Sequence, residues 1–441
     1  MDFIAYLKDQ LHKHPQLLWV IYEQNWNTDF LRFYRSQTNY NISKSNHSLY
    51  LSLYKDQRNY GFTINDPTRA KIDEALKEAL DILDKLPPDP DFVDLEDDPT
   101  LAEPREVINN IEQVPLQLKT AILNRIAKAV KPHGFDIFGT FICNYGSSRM
   151  INSNNLDKSS AGSPIFLEVK AVHKDSEVTV LQNFGGEDFA KFDEEAFTAE
   201  LLRKIEHCKN PVVDVEAGEY DVILAPRCVA EFVQYLSWCM DARAYDQHDS
   251  FFEDKLDVQV FPPHISITDD PTDPDMIRQD YGSDGHIYKP LKLVEQGVFK
   301  AFTCDHYYHR KTGLPKNGNT GSCLSIAPGE SSLEEMVKGV KNGLYISSLH
   351  YMNFINMKET SITGLTRDGT FLIKDGKIVN VVNSLRFTEK IERILRNVIA
   401  LENKAHTTAF SDNYGSFDIS STKAPHALIK GFQISSSTHT I

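Results

Sequence analysis

Groups able to bind a metal, exchange protons or attack carbon are thinly spread along this 441-residue chain. The densest set is Cys304, His306 and His309, a C-x-H-x-x-H spacing, with His264, His286 and Cys323 elsewhere in the same half. Thiolate and imidazole are zinc ligands, so one reading is a metal site. The other is a strand running into a loop. On a strand His306 and His309 face opposite sides, and Arg310 and Lys311 follow with charges that repel a cation. We therefore expect no metal here. The nearby loop KNGNTGSC, Lys316 to Cys323, carries glycine and asparagine hinges. Such loops shape binding clefts or simply turn hairpins. On the first reading, His306, Gly318, Thr320 and Gly321 contribute to substrate binding. Cys228 and Cys239 are about three helical turns apart, too distant to chelate together, and suit small buried apolar positions.

The elements that must position these groups follow from periodicity. Phe3, Leu7 and Leu11 make a short amphipathic helix. Leu17 to Tyr22, Phe30 to Arg35 and Leu49 to Tyr54 read as strands, the last alternating Leu49, Leu51 and Leu53 against Tyr50, Ser52 and Tyr54. A helix opens with Asp66 as N-cap and Pro67 at the first position, and ends before Pro87. Residues 86–103 hold seven acidic residues, four prolines and no basic residue. We expect this connector to be exposed and tolerant of substitution. Helices at 116–130 and 194–208 flank strands at 136–143, 164–172 and 177–181. The second half, from about 216, is mostly strands. It includes helices at 227–243 and 388–398, and one opening at Ser331 or Ser332 with a capping-box glutamate. Residues 369–381 form a hairpin around Asp375-Gly376. The expected fold class is α+β: an α+β region, 1–215, then a largely β region, 216–441, with a polar tail from Ser435.

Bulk composition narrows the function. The net charge of −15 argues against a nucleic-acid binder, which shows a basic face, and against docking on an anionic membrane. No apolar run reaches the roughly 20 residues of a membrane span, and the N-terminus lacks the pattern of a signal peptide. We expect a cytoplasmic protein whose six cysteines are free thiols.

Several segments together resemble the TldD/PmbA metallopeptidase family, in its PmbA (TldE) branch. They are SFFEDKLDVQVFPPHISITDDPTDP (250–274), VEQGVFKAFTCDHYYHRKTG with GNTG (294–321), PGESSLEEMVKGVKNGLYI (328–346) and SITGLTRDGTFLIKDGKIV (361–379). The helix TEKIERILRNVIAL follows, and looser similarity extends over about 15–432. The resemblance implies an N-terminal α+β domain, a β-rich C-terminal domain, and cytoplasmic enzymes cutting unfolded peptides, often as a TldD–PmbA heterodimer. "Modulator of DNA gyrase" is one family label; the acidic charge gives it no support as a DNA contact.

Catalytic TldD members carry His-Glu-x-x-x-His on a helix and a late cysteine. The imidazoles and thiolate bind zinc, and the glutamate takes a proton from the zinc-bound water. Laid on that motif, this chain has Ala230 and Tyr235 in the histidine places and Glu231 in that of the base. Alanine has no donor atom, and a phenol with pKa about 10 is a poor ligand at neutral pH. No cysteine follows Cys323, so the region from Ser411 to Ser421 offers no thiolate. Glu231 reads as a solvated helix-face residue. The resemblance, with its motif missing, implies a chain with no cofactor, paired with a TldD-like subunit that supplies zinc. The alternatives are a stand-alone homodimeric peptide-binding protein and a peptidase whose metal site has moved.

Overall fold

The computed structural model describes residues 2–411 and 417–437. It is α+β, built on three sheets. The first has the order Arg58–Asn65, Gln37–Lys55, Leu18–Tyr34, Phe135–Asn152, Ile165–His173, Thr179–Gly186, with Asp157–Gly162 paired to Phe135–Asn152. All its pairings are antiparallel. The two short strands expected at 17–22 and 30–35 are one, Leu18–Tyr34. The polar stretch between them stays in register with Gln37–Lys55, so hydrogen bonding carries the strand through a segment with no apolar alternation.

The alternation at 49–54 sorts the faces of this sheet. Leu49, Leu51 and Leu53 are fully buried with Trp19 and Ile21 beneath the helices Phe3–Leu11 and Arg69–Leu83. Tyr50, Ser52 and Tyr54 point to the other side. The Arg69–Leu83 helix is capped by Thr68, whose side chain accepts from Lys71 N, and not by Asp66, which lies at φ 47°. Helices Leu116–Val130 and Glu194–His207 stand where the sequence placed them. They bury Ile122, Ile126, Phe197 and Leu201 in a core that also takes in Ile223, Tyr345 and Phe371 of the second half.

In the second half, helix Pro226–Cys239 lies in a core fed by strands of both remaining sheets. Its buried face carries Val229, Ala230, Phe232, Val233 and Leu236. The helix stops at Cys239 and a separate short helix, Ala242–Asp246, follows. Asp241 caps that second helix through Arg243 N, which breaks the single helix expected over 227–243. Likewise 388–398 is divided: strand Leu385–Lys390, then helix Ile391–Arg396. The hairpin turns at Asp375-Gly376 with both residues at positive φ, 47° and 74°, the geometry of a primed two-residue turn. Ser332 and Glu335 complete the capping box.

The six cysteines are unpaired, and five are buried. Burial pushes the thiols of Cys239, Cys304 and Cys323 up to about 12 and Cys143 to about 11.

The acidic connector departs most from expectation. Asp91 and Asp97 are exposed, but Glu96 is only 3% exposed. Its carboxylate accepts two bonds from Lys316 Nζ, at 2.7 and 2.9 Å. Its carbonyl accepts from Asn152 Nδ2 at 2.7 Å, and Lys158 Nζ donates to the carbonyls of Asp98 and Thr100. The segment is a strap pinned across both halves. Sequence composition reports how many acidic residues it has, not the cation 220 positions away that one of them meets.

Candidate functional site

Two places merit comparison: the central helix Pro226–Cys239, and a cavity under the strap.

On the helix, Ala230 is completely buried. Tyr235, five residues on, points away from it, since five residues turn a helix through about 140°. The Tyr235 ring packs 4.7 Å from Trp238 and 5.4 Å from Phe354, and its hydroxyl donates to the Met352 carbonyl. Neither position offers a ligand to an ion. Glu231 is not on a solvated face. Its side chain is 15% exposed and lies 3.3 Å from Arg227 Nε, while Arg227 Nη1 donates to Glu168 at 3.1 Å. The guanidinium stacks 5.2 Å over Phe410. A cation thus already stands between the two carboxylates. The region that would carry a late ligand is only partly described, because 412–416 lie outside the described residues.

Burial raises the Glu231 carboxyl to about 7, with Arg227 opposing the rise and Glu168 adding to it. An unfolded glutamate titrates near 4.3, so the folded state holds an extra proton between these values. Its contribution to stability is intact at the acid end and is lost as pH rises through about 7. Glu231→Gln is therefore expected to leave stability nearly unchanged at pH 4.5 and to raise it by roughly 1–3 kcal/mol at pH 8. Urea midpoints at the two pH values measure this; equal shifts at both would contradict a buried, titrating carboxyl.

The cavity has a volume of about 670 Å³. Its floor is the face of the first sheet opposite the leucines: Tyr22, Tyr50, Ser52, Tyr54, Met150 and Asn152. The strap supplies one wall through Phe92, Leu95 and Glu96. Loops of the second half and the first turn of helix His306–Thr312 close it with Tyr281, Asp284, Tyr288, His306, Tyr307 and Thr320. Tyr288 and Thr320 share a hydroxyl bond of 2.6 Å, and Tyr281 reaches Ser148 at 2.9 Å. Burial pulls the Glu96 carboxyl up. The bonds and charge of Lys316, the Asp97 amide and His306 outweigh it and hold the group below its usual range.

The chemistry of His306 differs from the strand reading. Helix His306–Thr312 begins there, capped by Asp305, and Asp284 accepts from the His306 amide at 2.7 Å. Cys304, His306 and His309 do not converge. Cys304 is buried, His309 Nδ1 bonds the Leu314 carbonyl at 2.6 Å, and His306 Nδ1 faces Glu96 at 3.5 Å. Of the four residues assigned to substrate binding, His306 and Thr320 line the cavity. Gly318 and Gly321 are not among its lining residues. Gly318 is at φ 67°, and a Cβ there would meet His286 at 2.5 Å. Asp269 anchors the loop, accepting from Cys323 N at 2.8 Å and from Gly321 N and Asn319 Nδ2 at 3.0 Å. The tyrosines and Glu96 were missed. The available signal was the polar-aromatic face of the 49–54 alternation, which marks a side of the sheet that is not core.

Among the described residues one further group is close enough to hold an ion: Glu402, His406 and His426. The sequence reading singled out none of them.

Comparison with known proteins bears on the second half first. The family model described as the PmbA/TldA metallopeptidase C-terminal domain matches residues 217–436. The chain belongs to the TldD/PmbA family. A protein of Saccharolobus solfataricus named "Zinc metalloprotease TldD homolog" is 24% identical over 316 residues, 66% of this chain and 68% of that one. A "Metalloprotease" of Methanothermobacter thermautotrophicus is 25% identical over 194 residues, 41% of this chain. That match spans less than half of the relative, 42%. The fold of TldE from Thermococcus kodakarensis superposes with a TM-score of 0.84 over 98% of this chain and 99% of that one, at 17% identity. This TldD/PmbA chain therefore shares its whole fold with that solved structure. No helix of the described residues is long and apolar enough to cross a membrane.

Proposed function

We propose that this chain is a non-catalytic, PmbA/TldE-type subunit of a TldD-like zinc metallopeptidase acting on unfolded peptides. The observation that carries the reading is the central helix. A buried alanine and a hydrogen-bonded tyrosine stand in the histidine places, and Arg227 bridges Glu168 and Glu231 beside them. A guanidinium is always charged at physiological pH, so it disfavours an ion at that spot. The cavity suits the second half of the proposal. Tyrosines offer broad apolar contact with a polar tip, which tolerates many side chains. The partner would bring the zinc. Trp238 beside Phe354 and the hairpin residues Tyr351 and Ile355, all more than half exposed except Phe354, offer it an apolar contact surface. The cytoplasmic setting expected from the sequence belongs to the same proposal.

The test is recovery of the tagged chain from extract of its own organism, identification of what comes with it, and peptide cleavage with and without that partner. We expect no hydrolysis of an unfolded peptide by the chain alone and chelator-sensitive hydrolysis by the complex. Trp238→Asp is expected to weaken recovery of the partner about tenfold or more, in line with loss of a central aromatic contact. Sustained cleavage by the pure chain alone would overturn the proposal.

A further inference from the structure

Glu402 ends the stretch after strand Val398–Leu401, His406 opens strand His406–Ser411, and His426 precedes strand Ala427–Ser437. Two antiparallel pairings bring them together: Leu401 lies opposite Ala427, and His406 opposite Ala424. Glu402 Oε2 is 3.0 Å from His406 Nε2 and 2.6 Å from His426 Nδ1, and the backbone N–H of His426 points at the same oxygen from 3.3 Å. The three ligand atoms all lie within 4.8 Å of one another.

We propose that Glu402, His406 and His426 form a binding site for one divalent transition-metal ion of the zinc class. Two imidazole nitrogens and one carboxylate oxygen are a recognised zinc set that leaves a fourth position for water. Nitrogen donors disfavour calcium and magnesium, and the lack of sulfur disfavours copper(I). Without an ion, both imidazoles must spend a proton on one carboxylate oxygen, which the His426 amide also approaches. An ion replaces those protons and gives each lone pair a use. Ligand atoms about 2.1 Å from zinc sit roughly 3.4 Å apart in a tetrahedron, so the carboxylate oxygen, now 2.6 and 3.0 Å from the two nitrogens, must back away to admit the ion. His426 is 8% exposed, and its other nitrogen meets the Tyr345 hydroxyl at 3.1 Å. That partner fixes the ring with Nδ1 toward Glu402, the orienting role played by outer hydrogen bonds around metal-bound histidines. His406, about a third exposed, gives the ion a way in. Arg203 and Lys204 lie close enough to oppose a cation, and Glu200 offsets them.

The site is at one end of strand His406–Ser411. Phe410, over which Arg227 stacks, is near the other end, roughly 13 Å along at about 3.3 Å per residue. The bound ion would tie the turn at 402–405 to the start of the last strand, and no hydrolytic role is assigned to it. The inference does not depend on the subunit reading, because its readout is metal uptake and not cleavage.

The test is zinc titration of the chelator-stripped full chain by calorimetry, with cobalt(II) absorption to report nitrogen and oxygen ligation. We expect about one ion per chain and a zinc-dependent rise in Tm. His406→Ala, at the most exposed ligand, should lower affinity at least about tenfold and abolish the rise in Tm. His426→Gln should do the same, and His309→Gln should change neither. Absence of uptake at micromolar zinc, or uptake that His406→Ala leaves unchanged, would overturn the proposal.

Discussion

Glu96→Ala is expected to lower the free energy of unfolding by about 3 kcal/mol, the low end for breaking a buried ion pair. The carboxylate is 1% exposed and Lys316 about a quarter exposed. Removing the acid therefore leaves an ammonium largely out of water with no counter-charge, although it can swing partly toward solvent. His306, 3.5 Å away, loses the same partner. Glu96→Gln keeps the shape and should fall between. The folded pKa of Glu96 lies below its usual value. The stabilisation is thus complete above the unfolded value near 4.3 and disappears as pH falls through the folded one. The gap between wild type and Glu96→Ala should accordingly close in acid. Asp97→Asn, in the same strap but exposed, should change stability by no more than about 0.5 kcal/mol. Urea denaturation of the three variants decides the matter; a Glu96→Ala change as small as that of Asp97→Asn would mean the strap is not pinned.

The second large effect concerns rebuilding the motif. Ala230→His with Tyr235→His is expected to yield weak zinc binding at the central helix, no useful peptide turnover and a loss of several kcal/mol of stability. An imidazole at Ala230 enters a filled core, where overpacking alone costs about 1–3 kcal/mol. Losing Tyr235 removes two aromatic contacts and the bond to Met352. Two imidazoles would still lack a third protein ligand, and Arg227 would remain beside them. Zinc affinity of the double variant, compared with His406→Ala in the same background to separate the two sites, gives the answer. Tight binding with efficient cleavage would show that the centre was one step from active.

Much of the architecture could be read from local pattern. The leucine–tyrosine alternation at 49–54 set both the packed face and the open face of the first sheet. The capping box at Ser332 and the Asp375-Gly376 turn depend on neighbours within three residues, and both formed as expected. Legibility failed where a distant partner decides. His306 starts a helix because Asp305 caps it and Asp284 receives its amide from 22 residues away, so the strand spacing argument did not apply. Glu231 looked like a surface residue by type, yet Glu168 and Arg227 enclose it. Glu402, His406 and His426 meet only because two strand pairings close on each other, and no spacing motif announces that.

The sheltered thiols have a use as reporters. A sulfhydryl whose pKa burial raises inside a core reacts with an alkylating dye only when that core opens. Cys143 sits in the core shared by both halves, whereas Cys228 and Cys239 sit in the one around the central helix. Labelling followed residue by residue would therefore time the opening of each core separately, in the unaltered protein and under native conditions. Addition of a partner subunit, a peptide or zinc could then be seen as slower labelling at one cysteine and not another, showing where in the molecule the stabilisation arrives.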